Sequence, residues 1–381
     1  MNKDRVLVFP YDLQFTPLLR QKSFVDRYAS IRLCSLPGWG LCERDAGYAD
    51  GGEPLNLEVE QDFEGVLGEV DAVIFADADN RYHFEEMIYP KILAAIAAKK
   101  KIVTLLPLGE KLEEIRIKCD ENEVMFRSYV HGPEQEPVAD YIAQMRQEER
   151  KDIMDSRTPI LAVIGLAEHT GKFQLQLALK ASFEKLGYKI SVIGSRSYCE
   201  FLGFHSFPSF MKSAMSETDK VLCFNRYIKE IEAKEQPDLI MVAVPGGFMR
   251  YNNKIINDFG ITAYEVFQAV VPDAVVLSLF HEKYNADFIN ELLQSTKYKL
   301  GLEVDALHLS NRQIDWVEMT NSKPDCISTL TINPEYLKKT VEECSAQSPI
   351  PVINLMEEGD EERLAGLIVD KLSEAEMAVQ F

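Results

Sequence analysis

Between Ile160 and Lys172 the chain changes character twice, and this restricts the fold more than any other stretch of its 381 residues. The run Ile160-Leu-Ala-Val-Ile is wholly apolar and stops at Gly165; Leu-Ala-Glu-His-Thr follows, then Gly171-Lys172, where a helix-forming run begins. A continuous apolar strand is buried on both faces, so it belongs to a parallel sheet covered by helices. Strand, glycine turn, lysine and helix is also a layout that can hold phosphate. Glycines let the backbone curl close to an anion, N–H groups point inward, and the helix N-terminus adds partial positive charge. Gly165 and Gly171 are the candidate turn residues, and Lys172 is placed to reach the β- and γ-phosphates of a nucleotide. The next residue is Phe173, where a bound Mg²⁺ would need a hydroxyl.

The same alternation of strand and helix runs through both halves. In the first, strands are expected at 5–10, 30–35, 71–76 and 101–106, with helices over 15–28 and 84–99. In the second, strands are expected at 160–164, 189–193, 238–244, 274–278, 304–309 and 351–355. Helices are expected there at 171–186, 220–233, 261–270, 286–296, 334–345 and 360–379, the last packing through Leu364, Leu367, Ile368 and Leu372. Between the halves, residues 133–157 are rich in charge and poor in large apolar side chains, which predicts an exposed linker helix. The reading is two doubly wound α/β domains, residues 1–132 and 158–381, joined by that linker.

Composition narrows the function classes. The net charge of −20 argues against nucleic acid and anionic lipid as partners, because both need a basic surface. No apolar run approaches the roughly 20 residues of a membrane span, and the N-terminal Met-Asn-Lys-Asp-Arg does not read as a signal peptide. The seven scattered cysteines form no Cys-x-x-Cys pair and read as reduced thiols of a cytoplasmic protein.

In a doubly wound sheet the loops at the strand C-termini make the site. After the second strand of the second half comes Gly194-Ser-Arg-Ser-Tyr-Cys, continuing through Phe201, Phe204, His205, Phe207 and Phe210. Arg196 is a candidate clamp for phosphate or carboxylate. Cys199 and His205 are either a thiolate–imidazole pair or bystanders in an aromatic lid. Glu168 and His169, inside the glycine loop, are the candidate catalytic groups. Asp77 and Asp79 are weak candidates for a hard cation, against the alternative that they cap a helix. Trp39, between two glycines, reads as a contact surface.

The five-residue interval between Gly165 and Gly171 resembles the phosphate loops of the dethiobiotin-synthetase-like and partitioning-ATPase-like branch. So do Lys185-Leu-Gly-Tyr-Lys before the second strand and Pro237-Asp-Leu-Ile-Met-Val-Ala-Val-Pro-Gly-Gly at the third. That resemblance implies a P-loop NTPase-like second domain beside a Rossmann-like first one. It also implies ATP or GTP as ligand and Asn311 as the base-contacting residue. The domain is degenerate, because Phe173 removes the metal-binding hydroxyl and Val244-Pro245 stand where an acid is usual, which leaves Mg²⁺ in doubt. Metal-free nucleotide binding, an altered ligand and a vestigial loop all remain open.

Across nearly the whole chain, Phe9-Pro-Tyr-Asp, Phe15-Thr-Pro-Leu-Leu-Arg, Gly38-Trp-Gly-Leu-Cys, Tyr89-Pro-Lys-Ile, Gly171-Lys-Phe and Gly203-Phe-His-Ser-Phe-Pro-Ser-Phe-Met resemble the peptide maturation system proteins of clostridial natural-product clusters. This implies a precursor peptide and a radical SAM maturase as partners, leaves room for a homodimer, and implies no reaction. The expected function is an accessory protein of ribosomal (bacteriocin-type) peptide maturation, binding a nucleotide or another anion and presenting peptide or maturase at the aromatic loop. The alternatives are an ATP-dependent ligase or kinase-like enzyme of the dethiobiotin-synthetase type, and a scaffold with a relic loop.

Overall fold

The computed structural model describes residues 3–78, 82–130, 152–321 and 327–379. It divides into two compact units, residues 1–132 with 200–202, and 133–199 with 203–381. Each unit is built on a parallel sheet, giving two parallel α/β units as the alternation predicts.

The sheet of the first unit contains β1 (Arg5–Phe9), β2 (Ser30–Cys34), β3 (Val59–Glu60), β4 (Ala72–Phe75), β5 (Lys101–Thr104) and β6 (Phe126–Ser128), in the order β3-β2-β1-β4-β5-β6. Every pairing is parallel, and β1 lies between β2 and β4 with Val8 opposite Leu33 and Ile74. Phe9, Phe63 and Phe75 form an aromatic centre for its core, with Phe9 edge-on to Phe63 at 4.8 Å. Burying one such ring stabilises the fold by about 1.5–3 kcal/mol.

Two helices of this unit depart from the expected continuous form. The stretch 15–28 holds two short helices, Thr16–Leu19 and Lys22–Val25, because the Gln21 backbone is extended between them. Arg20 there pairs with Asp50 at 2.6 Å. The stretch 84–99 begins as a π turn, Phe84–Ile88, and becomes α-helical over Tyr89–Ala97. Pro90 has no N–H and its ring crowds the carbonyl four residues earlier, so the backbone opens just ahead of it.

The second unit carries β7 (Ile160–Gly165), β8 (Ile190–Gly194), β9 (His205–Ser206), β10 (Leu239–Ala243), β11 (Ala274–Leu279), β12 (Ala306–Leu309) and β15 (Val352–Ile353). Their order is β15-β12-β11-β7-β10-β8-β9, again parallel throughout. Every residue of β7, β10 and β11 is buried, as helices on both faces require. A short antiparallel pair, β13 (Arg312–Ile314) and β14 (Thr329–Thr331), stands apart from this sheet. The expected strands are all present, while β3, β6, β9, β13 and β14 are additional. The C-terminal helix Asp360–Val379 lies against the helix Lys172–Lys185. Leu364 and Ile368 are buried, but Leu367 is 40% exposed, so the expected apolar stripe is narrower.

Most of the expected linker helix, and Asp79, lie outside the described residues, and its described end, 152–157, is not helical. Among the described residues no helix is long and apolar enough to cross a membrane. Six cysteines are free there, and Cys326 falls outside them.

Candidate phosphate-binding site

The strand order explains how distant segments meet around the glycine loop. β7 is central, with β11 on one side and β10 then β8 on the other. All are parallel, so their C-terminal ends open on one edge. Ser278 near the end of β11, Gly246-Gly247 after β10 and Ser195-Arg196 after β8 come from that edge.

The loop closes tightly at its first glycine. A Cβ on Gly165 would lie 2.6 Å from Lys172 Nζ, 2.7 Å from Thr170 Oγ1 and 2.9 Å from Ala167 O, so any side chain there would displace the ammonium and crowd the loop backbone. Gly171 has φ 83°, and its neighbours Ser310 and His308 stand just beyond it. His169 is also left-handed, at φ 59°. This is a costly geometry for a residue with a side chain, and it turns successive peptide groups around the loop. The helix Lys172–Lys185 starts at Gly171.

Lys172 is only 6% exposed. Its ammonium donates to Ala167 O at 2.8 Å and to Gly246 O at 2.7 Å, so it bridges the loop and the turn after β10. Burial pushes its pKa down to about 8; Glu168 opposes that shift and Arg196 adds to it. The same turn is tied twice more: Phe248 N donates to Gly165 O at 3.0 Å, and Asn257 Nδ2 donates to Leu166 O at 3.0 Å.

Three polar side chains not anticipated from sequence hold this arrangement. Gln176, one turn beyond Lys172, donates to Ile193 O at 3.1 Å and accepts from Ser195 N at 3.3 Å, fixing the strand end that carries Arg196. Ser278 Oγ donates to Thr170 O inside the loop. His308 Nδ1 lies 2.8 Å from Ser278 Oγ and therefore donates to it, since the serine proton is already committed. Burial and the charge of Arg312 lower the His308 pKa to about 3, so this imidazole is neutral at ordinary pH. The available signal was a polar residue inside an otherwise apolar, fully buried strand, which must have a partner.

The other candidates are placed as follows. Glu168 is exposed on the loop and His169 half-buried beside it. Arg196 is half-buried, with its guanidinium 5.6 Å from the Phe173 ring centroid. Asn311 is buried in the turn between β12 and β13, next to Ser310, and its carbonyl accepts from Ile332 N at 2.8 Å. Asp77 is half-buried at the end of β4, and no group of three or more metal-ligating side chains occurs among the described residues. Trp39 is half-buried against Tyr82.

Of the two readings of Cys199 and His205, the structure agrees with bystanders in an aromatic lid. Cys199 and His205 do not form a thiolate–imidazole pair. Cys199 is fully buried against Gly194, where a Cβ would lie 2.2 Å from its Sγ, and His205 Nε2 pairs with Glu235 at 2.7 Å. The four rings pack as that lid: Phe201, Phe204, Phe207 and Phe210 are all buried, with Phe207 against Phe224 and Phe210 against Tyr227.

Phosphate and metal fare differently at this site. The tight glycine turn, the buried ammonium and the helix N-terminus fit a phosphate group. The metal positions do not fit Mg²⁺: Phe173 is 5% exposed with its ring edge-on to Tyr198 at 6.1 Å, and Val244 is buried at the end of β10.

No family model and no curated protein matches the chain. Among solved structures, a DUF1611 family protein from Anabaena variabilis shares the fold, with a TM-score of 0.62 at 10% identity over 96% of this chain and 99% of that one. A putative plasmid partition protein from Borrelia burgdorferi bound to AMPPNP aligns over 58% of this chain and 100% of its own, at 12% identity and a TM-score of 0.36. The signal recognition particle receptor FtsY from Elizabethkingia anophelis aligns over 69% and 84%, at 15% identity and 0.32. The last two scores are too low to carry weight, and the first establishes the fold alone.

Proposed function

We propose that the protein binds a phosphate-bearing ligand, a nucleotide such as ATP or GTP, at the loop Gly165–Lys172. The reading extends to an accessory role in ribosomal peptide maturation, with a precursor peptide and a maturase as partners. The observation that carries the first part is a buried ammonium at the head of a long helix, inside a turn with no room for a Cβ at its first glycine. The second part is supported by the motif resemblance along the chain.

Calorimetric titration of ATP and GTP into wild type and Lys172→Ala tests the site. The expected result is binding that weakens at least about 100-fold in the variant, the scale of a lost charge-assisted contact. Equal binding by both proteins, or none by wild type, contradicts it. One observation favours the scaffold reading instead: Lys172 already has two carbonyl partners within its own unit, so the loop is internally satisfied. In that case no nucleotide changes the melting temperature. The ligase-like alternative lacks a carboxylate at the end of β10, where Val244 and Pro245 stand.

A further inference from the structure

We infer that the loop takes a ligand with adjacent phosphates, a pyrophosphate-bearing compound, without a divalent metal, the Arg196 guanidinium supplying the second positive charge. This rests on the reading of the loop as a phosphate site.

Lys172, Phe173 and, one turn on, Gln176 lie at the head of the helix Lys172–Lys185, and each contributes a different part. Lys172 brings the ammonium. Phe173, where a hydroxyl would hold a metal, brings an aromatic face, and the Arg196 guanidinium lies 5.6 Å from its centroid. The negative face of the ring attracts the cation and orients it. Tyr198, two residues after Arg196, meets the same ring edge-on at 6.1 Å, so the segment touches Phe173 twice. Gln176 fixes the origin of that segment through Ile193 O and Ser195 N. The substitution that removes the metal ligand therefore also builds the seat of a permanent cation.

No other hydroxyl on the loop replaces the missing one. Thr170 is fully buried and donates to Ala167 O at 3.2 Å. The end of β10 presents Val244 and Pro245, which cannot order a metal-bound water. Glu168 is the carboxylate on the loop and is exposed. Arg196 lies over the ring of Phe173, the residue next to Lys172 in the chain, which brings the second cation to the head of the same helix. A guanidinium binds phosphate bidentately and stays charged at all working pH, whereas Mg²⁺ needs an octahedral oxygen shell. Two such cations on neighbouring groups match a pyrophosphate better than a single phosphate.

Calorimetry with inorganic pyrophosphate and with ATP, each in EDTA and in excess Mg²⁺, tests this on the full chain. Wild type is expected to bind both probes in EDTA, with no gain from Mg²⁺. Arg196→Gln is expected to bind roughly 10–100-fold more weakly in EDTA, with Arg196→Lys recovering part of the loss. Phe173→Thr, if its melt shows it folded, is expected to acquire a Mg²⁺ dependence that wild type lacks. Binding by wild type only when Mg²⁺ is present overturns the metal-free inference and leaves the phosphate site standing. Unchanged binding by Arg196→Gln in EDTA overturns the role of Arg196. Absence of binding by wild type in both conditions overturns the inference together with the reading beneath it.

Discussion

The two units begin alike, with a central parallel strand running into a helix, and they part at the residues that follow it. β7 ends at Gly165, and after five residues Gly171 caps a helix of 14 residues that begins at Lys172. After β1 come Pro10-Tyr11-Asp12 and, at Thr16, a helix of four residues. In the first unit the turn is filled from within. Tyr11 is fully buried, its hydroxyl donates to Ala46 O at 2.7 Å and shares a hydrogen bond with Thr16, and Asp12 accepts from Gln14 N at 2.8 Å. In the second unit two glycines replace side chains by backbone. A parallel sheet supplies the place for a ligand, but the loop decides whether protein atoms already occupy it.

The largest effect that would break this contrast is at Gly165. Gly165→Ala is expected to abolish phosphate binding and to lower stability by about 1–3 kcal/mol, because the new methyl overlaps Lys172 Nζ and Thr170 Oγ1. Calorimetry and a denaturant melt read the two losses separately; a variant that binds as wild type would show that the loop is not the site. Tyr11→Phe is the matched change in the first unit. It leaves Ala46 O without its donor and is expected to cost about 1–2 kcal/mol of stability with no change in phosphate binding. A loss of binding there would erase the distinction between the units.

The smallest effect is a dependence on pH. Lys172 has a pKa near 8 in the free protein, and an anion binds its protonated form. Affinity for ATP is therefore expected to be full below about pH 7 and to fall as pH rises through 8. Lys172→Arg, which stays charged, is expected to show a flat profile over the same window. An unchanged wild-type affinity up to pH 10 would mean that Lys172 does not carry the binding.

Much of the fold was legible because buried parallel strands leave continuous apolar runs, as at Ile160–Ile164 and Ala274–Leu279. The two-residue strands β3 and β9 were not, since so short a pairing depends on its neighbours rather than on its own sequence. Nor was the break at Gln21: the apolar period runs on through it, while the Arg20–Asp50 pair joins residues far apart in the chain. At the site, Gly165, Gly171 and Lys172 could be read because their chemistry depends on local spacing. Ser278 and His308 could be noticed as polar residues in apolar strands, but their meeting beneath Thr170 depends on strand order. From sequence Phe173 is only a missing hydroxyl, because the Arg196 guanidinium over its ring comes from another strand end.

The central claim is that ligand meets the loop after β7 and leaves the turn after β1 alone. Hydrogen-exchange mass spectrometry with saturating ATP tests it directly. The account predicts slowed exchange in peptides covering Gly165–Phe173, Ser195–Tyr198 and Gly246–Phe248, with Phe9–Gln14 unchanged. Slowed exchange at Phe9–Gln14 instead, or none at Gly165–Phe173, would contradict it.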